Sequence, residues 1–334
     1  MRFRITRLVV VLALTLAACG SDGSGDGSPT TLPPATDGPG TTTGRTTTNG
    51  ATTTTIADSP GAFPATVEIG GISVTIPERP GKIAALSATH VEMLYAMGAG
   101  DQVVAGDLFS DYPAAAASLE QLDSFNLSVE ALIALAPDLV VLSFDPVDAV
   151  SALEAVGIPT ILLDTAPDLE TVYSQIGVLG VATGNEEAAA ALTASIQADI
   201  DALVAEAGEA GAGVTYYHET DPFSFYTPNS DSFIGKLYAL LGMENIADAA
   251  PDGLSSGFPQ LSPEFIITAD PNLVILAGAG ESADTLAERD GWETLSALSS
   301  GRVVVLDPDV ASRWGPRIVD LLAAIADAVT GTAS

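Results

Sequence analysis

The chain of 334 residues carries only two histidines, each beside a short β-forming run: His90 after Leu86-Ser87-Ala88-Thr89, and His218 after Val214-Thr215-Tyr216-Tyr217. With Glu219 or Asp309 they could ligate a haem iron or a bare transition ion, since imidazole and carboxylate are donors such ions accept. The competing reading is that each histidine caps a helix or hydrogen bonds to the edge of a larger ligand, and direct metal ligation by either is not the expectation. Ser87, His90 and Asp309 also supply the residue types of a nucleophile, a base and an orienting acid. No Gly-x-Ser-x-Gly elbow, phosphate-binding Gly-Lys-Ser/Thr loop or full dinucleotide fingerprint accompanies them, and Gly278-Ala279-Gly280 lacks the third glycine. An enzyme is therefore not expected, and a hydrolase is the remote alternative.

Aromatic residues form the second constellation. Tyr112 in Ser110-Asp111-Tyr112-Pro113, Phe125, Phe144, Phe223, Phe225, Tyr226 and Phe258 cluster where the strands are expected to end, with few charges among them beyond Asp309 and Arg313. A cleft lined this way suits a large, flat or apolar ligand. Taken singly, a ring at a loop tip is more often a core plug than a ligand contact.

The elements that must position these residues are those of an α/β protein with mainly parallel strands. Strands are predicted at Ile83–Leu86, Val103–Ala105, Leu139–Leu142, Thr160–Leu163, Val214–Tyr217, Leu273–Leu276 and Val303–Leu306. Between the fourth and fifth, Asn185 is placed to cap a long helix with Glu186 and Glu187 in its first turn. Leu192, Ile196, Ile200 and Leu203 then recur at helical spacing. Such a helix of about 20 residues is about 30 Å long and divides the strands into groups of four and three.

An internal repeat supports two lobes. Leu127-Ser128-Val129-Glu130-Ala131-Leu132-Ile133 leads to Pro137-Asp138-Leu139-Val140-Val141-Leu142. Leu261-Ser262-Pro263-Glu264-Phe265-Ile266-Ile267 leads to Pro271-Asn272-Leu273-Val274-Ile275-Leu276 at the same offset. Each copy reads as a Ser-capped helix with Glu in its first turn, then a buried strand. Two such lobes leave a cleft facing the carboxyl ends of their strands.

Composition narrows the function classes. With 43 Asp+Glu against 11 Lys+Arg and a net charge of −32, the surface repels phosphate backbones, so a nucleic-acid binder is not expected. The single Cys rules out an internal disulfide framework. Arg2, Arg4 and Arg7 precede an apolar run from Leu8 to Leu16 that is too short to span a bilayer. Leu16-Ala17-Ala18-Cys19-Gly20 resembles the lipobox of bacterial lipoproteins, which implies lipidation at Cys19. From residue 20 to 64 the Ser/Thr/Gly/Pro sequence reads as a disordered tether with an average reach on the order of 35 to 40 Å.

From about Ala65 onward the chain resembles the solute-binding proteins of ABC importers for metal chelates, which take up ferric siderophores, vitamin B12 and haem. The resembling segments are Pro80 to Ser87, Glu92 to Gly100, Ala136 to Val140, Ser232-Phe233-Ile234, Gly242 to Ile246 and Gly315-Pro316-Arg317. The resemblance implies two Rossmann-like lobes joined by one long rigid helix, no catalysis, no permanent cofactor, and delivery of ligand to a permease dimer with its ATPase subunits. It implies a monomer held outside the cytoplasm, with residues 1–19 as signal peptide, 65–184 and 209–334 as lobes, and 185–208 as the helix between them.

Ser110-Asp111-Tyr112-Pro113, Phe258-Pro259-Gln260-Leu261-Ser262 and the spacing of Asp309, Arg313 and Arg317 are similar to the B12-binding branch. That similarity implies corrinoid contacts at Tyr112, Phe258 and Asp309, and permease docking by Glu130 and Glu264. Phe258 and Phe125 stand where that branch has tryptophan. A ferric siderophore is the competing ligand. Anionic siderophores favour several arginines, whereas this sequence offers Arg313 and Arg317, with Lys236 and Arg289 expected at the surface. Haem or a bare metal ion is the further alternative within the class.

Overall fold

The computed structural model describes residues 61–250 and 257–331. The signal segment, Cys19 and nearly all of the tether lie outside the described residues. The first element is a hairpin, β1 (Ala65–Ile69) with β2 (Ile72–Ile76), antiparallel around Gly70-Gly71. Both glycines have positive φ, as a two-residue turn matched to strand twist requires. Sequence reasoning missed this hairpin, although a Gly-Gly pair between two alternating runs is its signal.

The first lobe follows: β3 (Ile83–Ala85), α1 (Ala88–Ala96), β4 (Val103–Asp107), β5 (Glu120–Leu122), α2 (Val129–Ala134), β6 (Leu139–Leu142), α3 (Ala149–Glu154) and β7 (Thr160–Leu162). Its five strands run parallel in the order β5-β4-β3-β6-β7. Then come α4 (Leu169–Thr183) and α5 (Glu186–Ala207), and the second lobe: β8 (Thr215–Glu219), α6 (Phe233–Ala239), β9 (Glu244–Asn245), α7 (Pro263–Ala269), β10 (Leu273–Leu276), α8 (Ala283–Ala287), α9 (Ser296–Ser299), β11 (Val303–Val305), α10 (Pro308–Ser312) and α11 (Ile318–Thr330). Its strands are parallel in the order β11-β10-β8-β9.

The sheets therefore have five and four strands, not the predicted four and three. The two overlooked strands, β5 and β9, are short polar edge strands (Glu120-Gln121-Leu122 and Glu244-Asn245) with no apolar run to betray them. The predicted strand at Val214–Tyr217 is shifted to Thr215–Glu219, which puts His218 and Glu219 inside β8 and not beyond it.

Strand alternation builds the core. Ile83, Ala85, Leu139 and Val141 face one way in the first sheet, and Tyr216, Leu273 and Ile275 do so in the second. Together with α4, α5 and α11 they form one apolar cluster spanning both lobes. The alternate residues face two separate outer clusters, Ala84, Val140 and Leu142 in one and Tyr217, Val274 and Leu276 in the other. Ile196 and Ile200 of α5 are buried in the shared cluster, with Leu192 and Leu203 packed at its edge.

Asn185 sits at the N-cap of α5 as expected, but its side chain does not cap. Its amide donates to Thr183 and to Gln102 Oε1, and its carbonyl accepts from Arg79. Gly180 of α4 lets α4 and α5 touch: a Cβ there would stand 2.5 Å from the Ala189 Cβ.

Candidate functional site

The repeat holds in three dimensions. Ser128 accepts from the Ala131 amide to cap α2, Ser262 accepts from the Phe265 amide to cap α7, and each helix leads to a four-residue, fully buried strand, β6 or β10. Glu130 and Glu264 take matching first-turn positions and are both exposed. In each sheet the chain changes direction beside its first strand: β3 lies between β4 and β6, and β8 lies between β9 and β10. The crevice outside the carboxyl ends of strands at such a reversal is where ligands bind in open α/β sheets.

In the second lobe this crevice is a hollow of about 1040 Å³ floored by Thr220 after β8 and by Ala277 and Gly278 after β10, with Phe223, Phe225, Trp292 and Pro308 in its walls. A smaller cavity of about 310 Å³ lies between the lobes. Thr165, Ala166 and Pro167 of the first lobe face Phe233, Phe258, Arg313 and Trp314 of the second across it. Lys236, exposed as expected, donates to the Pro167 carbonyl across the same gap at 2.9 Å.

The predicted aromatics divide. Tyr112 and Phe258 are each 48% exposed, Phe125 is 68% exposed, and Phe223 and Tyr226 are also open to solvent. Phe125 packs on half-buried Phe144 with ring centroids 5.4 Å apart. Phe225 stacks on buried Trp292 at 6.0 Å and has a left-handed backbone, φ 53°. It is the most structural of the set. Leu108 and Phe109, exposed beside Tyr112 after β4, extend the apolar surface and were not singled out from sequence.

Polar groups of the two lobes meet in one cluster. Arg313, after α10, donates from Nη1 to Glu92 Oε1 of α1 at 2.6 Å, and from Nη2 to the Phe109 carbonyl at 2.8 Å, to Asp111 at 3.1 Å and to Asp309 at 2.8 Å. Arg317 donates to both Glu92 oxygens, at 3.0 and 2.7 Å, and its guanidinium lies 4.3 Å from the Tyr112 ring centroid. Partial burial, reinforced by Asp111 and Asp307 and opposed by Arg313, raises the Asp309 carboxyl above its ordinary value. Sequence reasoning identified Asp309, Arg313 and Tyr112 but missed Glu92. Its side chain is 1% exposed, and its only signal was an acid inside an otherwise apolar helix face.

Both histidines require correction. His90 and His218 are fully buried and present no nitrogen to a cleft. His218 shares a hydrogen bond through Nδ1 with the Tyr238 hydroxyl at 3.0 Å, and burial lowers its pKa to about 3. His90 packs edge-on against Trp314, and neither of its ring nitrogens has a hydrogen-bond partner. Burial lowers its pKa to about 4, and Gln175 lies near enough to offset part of that shift without completing a bond. With His90 unpartnered and Asp309 bound to Arg313, the imagined Ser87-His90-Asp309 triad is not assembled. No group of three or more His, Cys, Asp or Glu suited to a metal ion occurs among the described residues.

Arg289 is a second correction. It is not a free surface cation but lines the hollow and forks onto Glu219 with two 2.7 Å bonds, while also meeting Glu281 at 2.5 Å and stacking over Trp292. Tyr217 donates to Glu219 as well. Burial and the adjacent Glu219 push the Glu281 carboxyl up to about 7, against the pull of Arg289.

This geometry is that of a two-lobed binding protein, and residues 83–310 match the family described as periplasmic binding protein. The chain belongs to that family, and so is an extracytoplasmic binding protein and not an enzyme. It is 29% identical over 276 residues, 80% of this chain and 86% of the relative, to an ABC transporter substrate-binding lipoprotein of Bacillus subtilis. It is 30% identical over 293 residues, 83% of this chain and 77% of the relative, to a cobalamin-binding protein of Halobacterium salinarum. Among solved structures it resembles a periplasmic heme-binding protein of Roseiflexus (TM-score 0.66, 24% identity, 76% of this chain and 99% of that one). It likewise resembles an Fe3+-hydroxamate transport protein of Saccharomonospora viridis (TM-score 0.62, 23% identity, 80% and 99%). At these identities the structures speak for the fold.

Proposed function

We propose that this protein is the membrane-anchored solute-binding component of an ABC importer, and that it captures a metal chelate, a corrinoid first and a ferric siderophore second, between its lobes. The observation that carries the reading is the set of solvent-exposed rings, Tyr112 and Phe125 on one lobe and Phe223, Tyr226 and Phe258 on the other, beside strand ends that offer no assembled reactive group. Aromatic faces open to water are a binding surface awaiting an apolar or planar partner. The cobalamin-binding relative supports the corrinoid. Haem or bare metal held by histidine is disfavoured, because both imidazoles are buried.

In this reading Cys19 carries the lipid, residues 20–64 tether the binding unit to the membrane, residues 65–184 and 209–334 form the lobes, and 185–208 join them. The protein acts as a monomer. Glu130 and Glu264, exposed at matching positions of the two lobes, dock onto the two like subunits of a permease. The test is an absorption spectrum and a mass spectrum of the protein repurified after mixing with cyanocobalamin, haem and ferric siderophores. One chelate retained in 1:1 ratio is expected; none retained refutes the reading.

A further inference from the structure

The reading above leaves the charge of the chelate open, and the polar cluster between the lobes bears on it. Any carboxylate or catecholate on a ligand needs cationic donors that are free to turn toward it. Among the described residues, the arginines at the candidate site are Arg289, Arg313 and Arg317, each engaged by protein carboxylates, while Lys236 at the edge of the interlobe gap donates to the Pro167 carbonyl. Arg289 is held by Glu219 and Glu281. Arg313 gives its bonds to Glu92, Asp111, Asp309 and the Phe109 carbonyl, and Arg317 gives its bonds to Glu92 and lays its plane against Tyr112. Around Arg313 and Arg317 two positive charges meet three carboxylates. The central one, Glu92, is buried beneath both arginines and cannot be displaced from the aqueous side without leaving a buried charge unpaired.

We propose that Glu92, together with Asp111 and Asp309, sets the charge class of the transported chelate: by claiming the donors of Arg313 and Arg317 these carboxylates make the cleft a receptor for neutral or cationic chelates that rejects anionic ones. Glu92 is then a positioning residue. It orients Arg317 so that its guanidinium covers one face of Tyr112 and leaves the rest of that ring to the ligand. Asp111 and Asp309, with side chains 56% and 41% exposed, present the negative charge that an incoming anion meets. The inference rests on the reading of the interlobe cleft as a chelate site.

The test is equilibrium titration of the full chain with three probes of different charge at low and high salt: cyanocobalamin, which is neutral, a cationic ferric trihydroxamate and a trianionic ferric tris-catecholate. The wild type should bind at least one of the first two more than tenfold tighter than the trianion. In Glu92→Gln the ratio of trianion to cyanocobalamin dissociation constants should fall at least tenfold, and the gained binding should weaken with salt. Asp111→Asn with Asp309→Asn, changed on exposed side chains that leave Glu92 in place, should move the ratio the same way, so the result does not hang on one buried variant. A wild type that binds the trianion as tightly as the others, or variants that leave the ratio unchanged, overturns the assignment while the chelate site stands. A wild type that binds none of the three removes the chelate site itself, and this inference with it.

Discussion

Truncating the exposed rings tests the binding surface with a size that can be worked out beforehand. Tyr112 and Phe258 each keep 48% of their surface open. Of the 150–250 Å² that such a side chain can bury, roughly 100 Å² is therefore available to a ligand. At about 25 cal/mol per Å² that is at most about 2.5 kcal/mol. The two rings differ in what already covers them. Phe258 borders the interlobe cavity, so its removal should cost about 2 kcal/mol, or about thirtyfold in Kd. Tyr112 has a face taken by Arg317, so Tyr112→Ala should cost about 1 kcal/mol, or about fivefold. Quenching of tryptophan fluorescence by cyanocobalamin, with calorimetry as a check, measures both. Thermal melts should show an intact fold, since neither ring is in the core. Affinities within twofold of wild type for both variants would refute the aromatic cleft; a loss larger for Tyr112 than for Phe258 would refute the part assigned to Arg317.

Four further outcomes follow from the same geometry. His90 and His218, with pKa values lowered from 6.5 to about 4 and about 3, give stability that is complete above pH 6.5 and lost as pH falls toward those values. For His90 alone this amounts to roughly 3 kcal/mol, so His90→Phe should flatten urea stability between pH 6.5 and 4, and an unchanged slope would show that the histidine is not held neutral. Glu281 has the opposite sign: raised from 4.5 to about 7, it stabilises fully below pH 4.5 and loses that effect as pH rises through 7. Glu281→Gln should therefore gain stability over wild type at pH 8 more than at pH 5, and a constant difference would contradict this. Alanine in place of a helix-interior glycine ordinarily stabilises by up to about 1 kcal/mol, but at Gly180 the 2.5 Å approach to Ala189 should reverse the sign. A loss of about 1 to 3 kcal/mol in denaturant unfolding is expected, and a gain would mean that α4 and α5 are less tightly apposed. Finally, Glu130→Lys with Glu264→Lys should abolish transport in vesicles reconstituted with the permease while the isolated protein still binds chelate; transport that survives reduces both glutamates to helix capping.

The buried strands of the two sheets were legible because apolar runs such as Leu139-Val140-Val141-Leu142 are local. The repeat was legible because Ser128 and Ser262 act within three residues of themselves. The edge strands β5 and β9 were not, since their pairing is made by neighbours and not by their own polarity. At the site, sequence pointed to the exposed rings and to Arg313, yet it placed the histidines wrongly. A histidine near a strand end reads the same whether it faces water or the core, and only packing against Trp314 and Tyr238 decides. Glu92 was missed and Arg289 was misplaced at the surface for a related reason: their partners lie 221 and 70 residues away, at Arg313 and Glu219, and no spacing in the chain announces them.

One metal chelate is expected between the two lobes, at the carboxyl ends of both sheets. Anomalous scattering at the cobalt or iron absorption edge, from crystals grown with the chelate that the protein retains, tests it most directly. A single metal peak in the space bounded by Tyr112, Phe258 and the ends of β3 and β8 is the predicted result. A peak outside that space, or none at saturating chelate, would refute binding between the lobes.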